Sequence, residues 1–138
     1  MKLVVQIPCL NEARDIADVI RAVPREIDGV SEVAVLVVDD GSSDGTADIA
    51  RDAGADRVVS NKQTLGLART FQRGISEALA MGADIIVNTD GDGQYAGESI
   101  PDLVRPIVLG QADLIVGDRK PFENKDFSAS KRLLQRVG

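Results

Sequence analysis

The chain has 138 residues, of which 28% are charged, 43% hydrophobic and 3% aromatic, with one cysteine and no histidine. This is one domain's length in an ordinary globular balance, and it excludes an internal disulfide, a cysteine zinc cluster, imidazole-based catalysis and an aromatic platform for single-stranded nucleic acid. The net charge of −6 is uneven, with 20 acidic against 11 basic side chains in residues 1–119 and 2 against 5 in residues 120–138. An acidic body argues against nucleic acid as a partner, because binding phosphates needs a basic face. No apolar run approaches the roughly 20 residues of a membrane span, and the N-terminus lacks a signal-peptide pattern.

Apolar runs and helical periods alternate along the chain. Leu3–Ile7 opens as a strand, and Ala13, Ile16, Ala17 and Ile20 then repeat at helical spacing, with Asn11 as a candidate N-cap and Pro24 as the stop. A second strand is expected over Val33–Val38 and a short helix over Ser43–Ala53, closed by Gly54. A short strand at Arg57–Val59 precedes a third helix from Gly66 to Met81, with Leu67, Phe71, Ile75, Ala78 and Leu79 on one face. Strands at Asp84–Val87 and Ala112–Val116 flank a fourth helix starting at Ser99, which Pro106 should kink or shorten. Continuous Val/Ile runs are the mark of parallel strands covered on both faces. The order therefore predicts a three-layer α/β/α fold with a mostly parallel sheet, its ligand edge at the strands' C-terminal ends.

Three polar clusters fall at those ends: Pro8-Cys9-Leu10-Asn11-Glu12, Asp39-Asp40-Gly41-Ser42-Ser43-Asp44-Gly45-Thr46, and Asp90-Gly91-Asp92-Gly93-Gln94. Topology brings them to one edge although some 80 residues separate the outermost. Asp90 and Asp92 flank a single glycine, an arrangement that suits Mg²⁺ or Mn²⁺ completed by phosphate oxygens; a plain Asp-Gly turn has the same composition. An EF-hand loop is excluded, since position six is Tyr95 and position twelve Pro101. Asp40 could accept from a base or ribose, and Asn11 and Glu12 could line the same site, but turn formation and capping use these residue types equally. Arg69 and Arg73 could reach a phosphate or remain solvated. Cys9 reads as a small buried filler. No G-x-G-x-x-G follows the first strand, no Walker A lysine is present, and the acids sit at the wrong strand ends for a phospho-receiver module.

Taken together, the ordered trio resembles the GT-A fold glycosyltransferases of the family-2 type, in the flavour of the dolichyl and polyprenyl-phosphate glycosyltransferases. The resemblance covers residues 3 to about 119. It implies a donor-binding α/β domain over 1–119, with Pro8, Asn11, Glu12, Asp40 and Asp90 at the nucleotide. Asp90 and Asp92 would be the D-x-D pair holding Mg²⁺ or Mn²⁺ and the sugar diphosphate, with Gln94 a third ligand. Arg119, in Gly117-Asp118-Arg119, would touch phosphate, and Arg69 is a second candidate for that contact.

The implied reaction is inverting transfer from a GDP- or UDP-linked sugar to a polyprenyl phosphate, at the cytosolic side or the cytosolic membrane face. Many relatives carry an aromatic where Leu10 stands. Residues 120–138 read as a basic tail leading toward an acceptor region and a catalytic base beyond Gly138. The expectation is thus a truncated, donor-binding part with weak or no transfer of its own, whose apolar Leu133, Leu134 and Val137 favour self-association. The alternative is a non-catalytic nucleotide-sugar or metal-binding module working with a partner chain.

Overall fold

The computed structural model describes residues 1–117. Strands and helices alternate in it: β1 (Lys2–Cys9), α1 (Ile16–Ala22), β2 (Glu32–Asp39), α2 (Thr46–Asp52), β3 (Arg57–Ser60), α3 (Leu67–Ala80), β4 (Ile85–Asn88) and α4 (Ile100–Val108), with a single 3-10 turn at Gly97–Ser99. Every strand pairing is parallel, and the order is β3-β2-β1-β4. The chain steps outward from β1 to β2 and β3, then returns to place β4 on β1's other side. Strand order reverses between β1 and β4, which opens a crevice beyond their carboxyl ends.

β1 and β2 are central, and each buries seven consecutive residues. Side-chain alternation divides those residues between two layers. Leu3, Val5, Ile7, Val33, Val35 and Val37 pack with Ile16 and Ile20 of α1, Ala50 of α2 and Val104 of α4. Val4, Ala34, Leu36 and Val38 form a smaller cluster with Ala78 of α3. The buried face of α3 is Thr70, Gly74 and Ala78, small residues that let the helix sit close to the sheet. A Cβ on Gly74 would collide with Gln6 Oε1. Gln6 is fully buried, and among the described residues neither atom of its amide has a hydrogen-bond partner.

Four local expectations change. On α3 the expected apolar face is not the packed one: Leu67, Phe71 and Leu79 are exposed, because Thr70, Gly74 and Ala78 face the sheet. The run Ala112–Val116 is not a strand, and Leu114 and Val116 are 79% and 84% exposed. It lies near β4 across a cavity of about 740 Å³ lined by Phe71, Ile75, Val87, Leu103 and Ile115 among others. A run of β-formers becomes a strand only when a neighbour's N–H and C=O groups are in register, and hydrophobic pattern does not encode that. Next, α1 begins at Ile16 with Asp15 as N-cap, and Asn11 caps nothing because its side chain is bonded to the loop after β2. Finally, α4 continues through Pro106 to Val108 before ending at Leu109. Pro106 forgoes only the N–H that would bond the Asp102 carbonyl, and the helix runs two residues past it.

Candidate functional site

Two loops at the crevice are tied together by backbone donors meeting short polar side chains. Asn11 N–H donates to Ser42 Oγ at 2.8 Å, and Ser43 N–H donates back to Asn11 Oδ1 at 2.9 Å. Glu12 N–H donates to Thr46 Oγ1 at 3.0 Å and Ala13 N–H to Asp44 Oδ2 at 3.1 Å. Asn11 adopts φ +52° to make this clasp, a backbone region that asparagine tolerates better than most residues. The serines, Asp44 and Thr46 after β2 therefore serve to join β1's loop to β2's.

Asp40 organises the neighbouring wall. It is buried at the end of β2. Its Oδ1 accepts from Asn61 Nδ2 and from Leu65 N–H, both at 2.8 Å, and its Oδ2 accepts from Gly66 N–H at 3.0 Å. Asn61 Nδ2 also donates to Thr70 Oγ1, while Arg73 donates to Asn61 Oδ1 and to the Ser60 carbonyl. Arg73 is thus committed to the scaffold. Asp40 anchors the turn that enters α3.

These elements enclose a pocket of about 270 Å³. Pro8, Cys9, Leu10 and Glu12 line it from the end of β1, Asp40 from β2, Thr64, Gly66, Leu67 and Thr70 from the entry to α3, and Asp90, Gly91 and Asp92 from the end of β4. Five of the sequence candidates, Pro8, Glu12, Asp40, Asp90 and Asp92, share this one space. Three others do not line it. Asn11 is turned into the clasp, and Arg69 is exposed on α3. Gln94 lines the larger cavity beside β4, with its N–H donating to Asp92 Oδ1 at 3.0 Å. Arg119 lies outside the described residues, as do Leu133, Leu134 and Val137. The wall at the start of α3 was not foreseen. Its signal was the polar turn Gln63-Thr64-Leu65-Gly66 between strand three and the third helix, a further cluster near the same edge.

Gly91 is buried between the two aspartates, and a Cβ there would lie 2.9 Å from Cys9 Cβ and 3.4 Å from Glu12 Cγ. Its role is close approach, which lets Asp90 and Asp92 press against β1's end. Negative charge accumulates as a result. Burial, then the charges of Asp92, Asp15, Asp44 and Asp90, raise the Glu12 carboxyl above its usual range. Burial and the Asp39 and Glu12 charges push the Cys9 thiol up to about 12, so it is an unreactive filler. Asp40 moves the other way: burial opposes its charge, but the Leu65, Asn61, Gly66 and Thr70 hydrogen bonds prevail and hold it low. The Thr46 hydroxyl, helped by the Ala13 and Thr46 amides, holds Asp44 low against burial.

Among the described residues no group of three His, Cys, Asp or Glu is placed to hold a metal ion. Asp90 and Asp92, on either side of one glycine, lie in a pocket that Glu12 and Asp40 also line, so negative charge is in surplus. That fits Mg²⁺ or Mn²⁺, which keep several positions for water and phosphate, better than a cation held wholly by protein.

The chain is similar to proteins of known name and structure. Protein RfbJ of Shigella flexneri is 36% identical over 124 residues, covering 90% of this chain and 88% of its own. Undecaprenyl-phosphate mannosyltransferase of Micrococcus luteus is 34% identical over 144 residues, covering all of this chain and 57% of its own. Glucosyl-3-phosphoglycerate synthase of Mycobacterium tuberculosis, solved with Mn²⁺, UDP-glucose and phosphoglyceric acid, superposes with a TM-score of 0.62 at 32% identity, over 80% of this chain and 40% of that one. The chain thus spans nearly all of RfbJ but about half or less of the other two. Its parallel sheet and flanking helices are the GT-A arrangement, and the glycosyl transferase family 2 model matches residues 4–136. The chain belongs to glycosyl transferase family 2.

Proposed function

We propose that this pocket binds the nucleoside diphosphate of an activated sugar, with Asp90 and Asp92 holding Mg²⁺ or Mn²⁺ and Pro8, Glu12 and Asp40 beside the nucleoside. The observation that carries the reading is the meeting of both aspartates, across a buried Gly91, with Glu12 and Asp40 in one crevice at the sheet's switch point. The Mycobacterium tuberculosis neighbour, whose structure holds Mn²⁺ with UDP-glucose, supports the same ligand class.

The reaction is transfer of the sugar with inversion. An acceptor oxygen forms the new bond to the anomeric carbon while the bond from that carbon to the diphosphate oxygen breaks, and the electron pair leaves with the nucleoside diphosphate. A divalent cation at Asp90 and Asp92 supplies charge neutralisation for that leaving group. The protein's own part is placement. Asp40 and Asn61 fix the α3 turn, the clasp fixes Glu12, and Gly91 allows the aspartates to approach.

The acceptor is a lipid phosphate of the polyprenyl type, whose oxygen is already a nucleophile. The Micrococcus luteus relative supports this choice, since its name gives such an acceptor and it aligns over the whole chain. The 138-residue chain by itself is expected to bind donor and to transfer sugar weakly or not at all, and the setting of the reaction is the cytosolic side, at the membrane face.

Calorimetric titration of UDP and GDP into the chain, with Mn²⁺ and then with EDTA, tests the donor site. Binding of either nucleotide that needs Mn²⁺ and is lost in Asp92→Ala is the expected result. Equal binding with and without metal, or in the variant, would sink the assignment.

A further inference from the structure

The pocket that holds the carboxylates also has an apolar wall, made by Pro8, Leu10 and Leu67. Leu10 is 40% exposed and Leu67 70% exposed. Core packing does not explain Leu67, because α3 turns Thr70, Gly74 and Ala78 to the sheet. Its position is nevertheless specified. Leu67 is the first residue of α3, immediately after Gly66 at φ +92° and ψ 160°. The Gly66 and Leu65 amides are both held by the buried Asp40 carboxylate. An exposed leucine is thereby fixed at the mouth of an acidic pocket by a network reaching back through Asn61 to Arg73.

A ligand that matches carboxylates at one end and aliphatic side chains at the other has an anionic, metal-binding end and a flat apolar end. A nucleoside diphosphate has both. Among the described residues no aromatic side chain lines this pocket, so the faces of a base must rest on aliphatic carbon.

We propose that Leu67, together with Leu10, grips the faces of the donor's nucleobase, making Leu67 a binding residue of the donor site. This rests on the donor-binding reading above. Aliphatic contact to a ring face carries no hydrogen-bond pattern, so the grip supplies affinity to uracil and guanine alike. Discrimination between bases falls to polar groups of the pocket.

The test is titration of UDP, GDP and inorganic pyrophosphate, each with Mn²⁺, into wild-type, Leu67→Ala, Leu67→Phe and Asp92→Ala chains. Leu67→Ala should weaken UDP and GDP alike by about fivefold or more, the effect of uncovering part of one aliphatic side chain's contact area. It should leave pyrophosphate unchanged. Leu67→Phe should tighten both nucleotides, since an aromatic ring stacks better on a base. Asp92→Ala should weaken all three ligands. Because Leu67 is exposed, its variants should melt close to wild type. Unchanged nucleotide binding in Leu67→Ala, or an equal loss for pyrophosphate, overturns the grip and leaves the donor site standing. A wild-type chain that binds none of the three overturns both.

Discussion

The Asn61 side chain donates to Asp40 Oδ1 at 2.8 Å, so a residue just past β3 determines how the carboxylate at β2's end presents the start of α3. Removing either partner leaves buried donors or acceptors unpaired. Asp40→Ala and Asn61→Ala should each destabilise the chain by about 1–3 kcal/mol, measured by urea unfolding at pH 7. Both should also weaken nucleotide binding through the displaced Leu65–Leu67 turn.

The same pair sets an acid limit. Asp40's carboxyl is lowered in the fold, despite burial, by its four hydrogen-bond donors. Its contribution is therefore complete above the unfolded carboxylate value of about 3.9 and is lost as pH falls through the lower folded value. Urea midpoints taken from pH 6 down to pH 2 should fall along this limb. In Asp40→Asn that limb should be shallower, and an identical slope in the variant would remove Asp40 from the account.

Glu12 has the opposite sign. Burial and the charges of Asp92, Asp15, Asp44 and Asp90 raise its carboxyl, so its ionised form at pH 7 opposes folding. Glu12→Gln keeps the main-chain bond to Thr46 Oγ1, because the backbone amide is the donor. The variant should melt higher than wild type in EDTA, and the gain should shrink when Mn²⁺ is present. A lower melting temperature in EDTA would count against charge crowding.

Gly91 tolerates no side chain. Its added Cβ would meet Cys9 Cβ at 2.9 Å, and the segment carrying both aspartates would have to shift. Gly91→Ala should cost about 1–3 kcal/mol of stability and weaken Mn²⁺-dependent nucleotide binding at least as much as Asp92→Ala does. Calorimetry on both variants, run with circular dichroism to verify folding, makes the comparison.

Gln6 is a buried amide with neither atom partnered among the described residues, packed under Gly74 of α3. Gln6→Leu removes that unsatisfied group at similar volume and should stabilise the chain by about 1 kcal/mol or more, read from thermal melts. A loss of stability would mean that the amide is satisfied in solution, for example by a buried water.

Much of this was legible in the residues. Continuous Val/Ile runs in β1 and β2 announced strands covered on both faces, and both proved buried over seven successive positions. The polar clusters at the ends of β1, β2 and β4 pointed to one edge, and eight of their residues line one pocket. Asn11 was less legible. Its chemistry suits an N-cap, and only the nearness of Ser43's amide assigns its side chain to another loop. The run Ala112–Val116 has a strand's composition without a partner in register among the described residues. Leu67 looked like one more member of an apolar helix stripe.

What the sequence determined by itself is whatever depends on local or periodic chemistry: strand and helix order, the parallel sheet, and the gathering of acids at strand ends. Right-handed crossovers make that gathering follow from element order alone. What the tertiary structure decided is which oxygen meets which amide. Asp40 is an anchor for α3, Gly91 is a point of close approach to Cys9, and Gln94 lines a different cavity from Asp92's pocket. Hydrogen bonds and steric contacts act over about 3 Å, a distance that sequence separations of 25 or 80 residues do not encode until the sheet has brought the strands together.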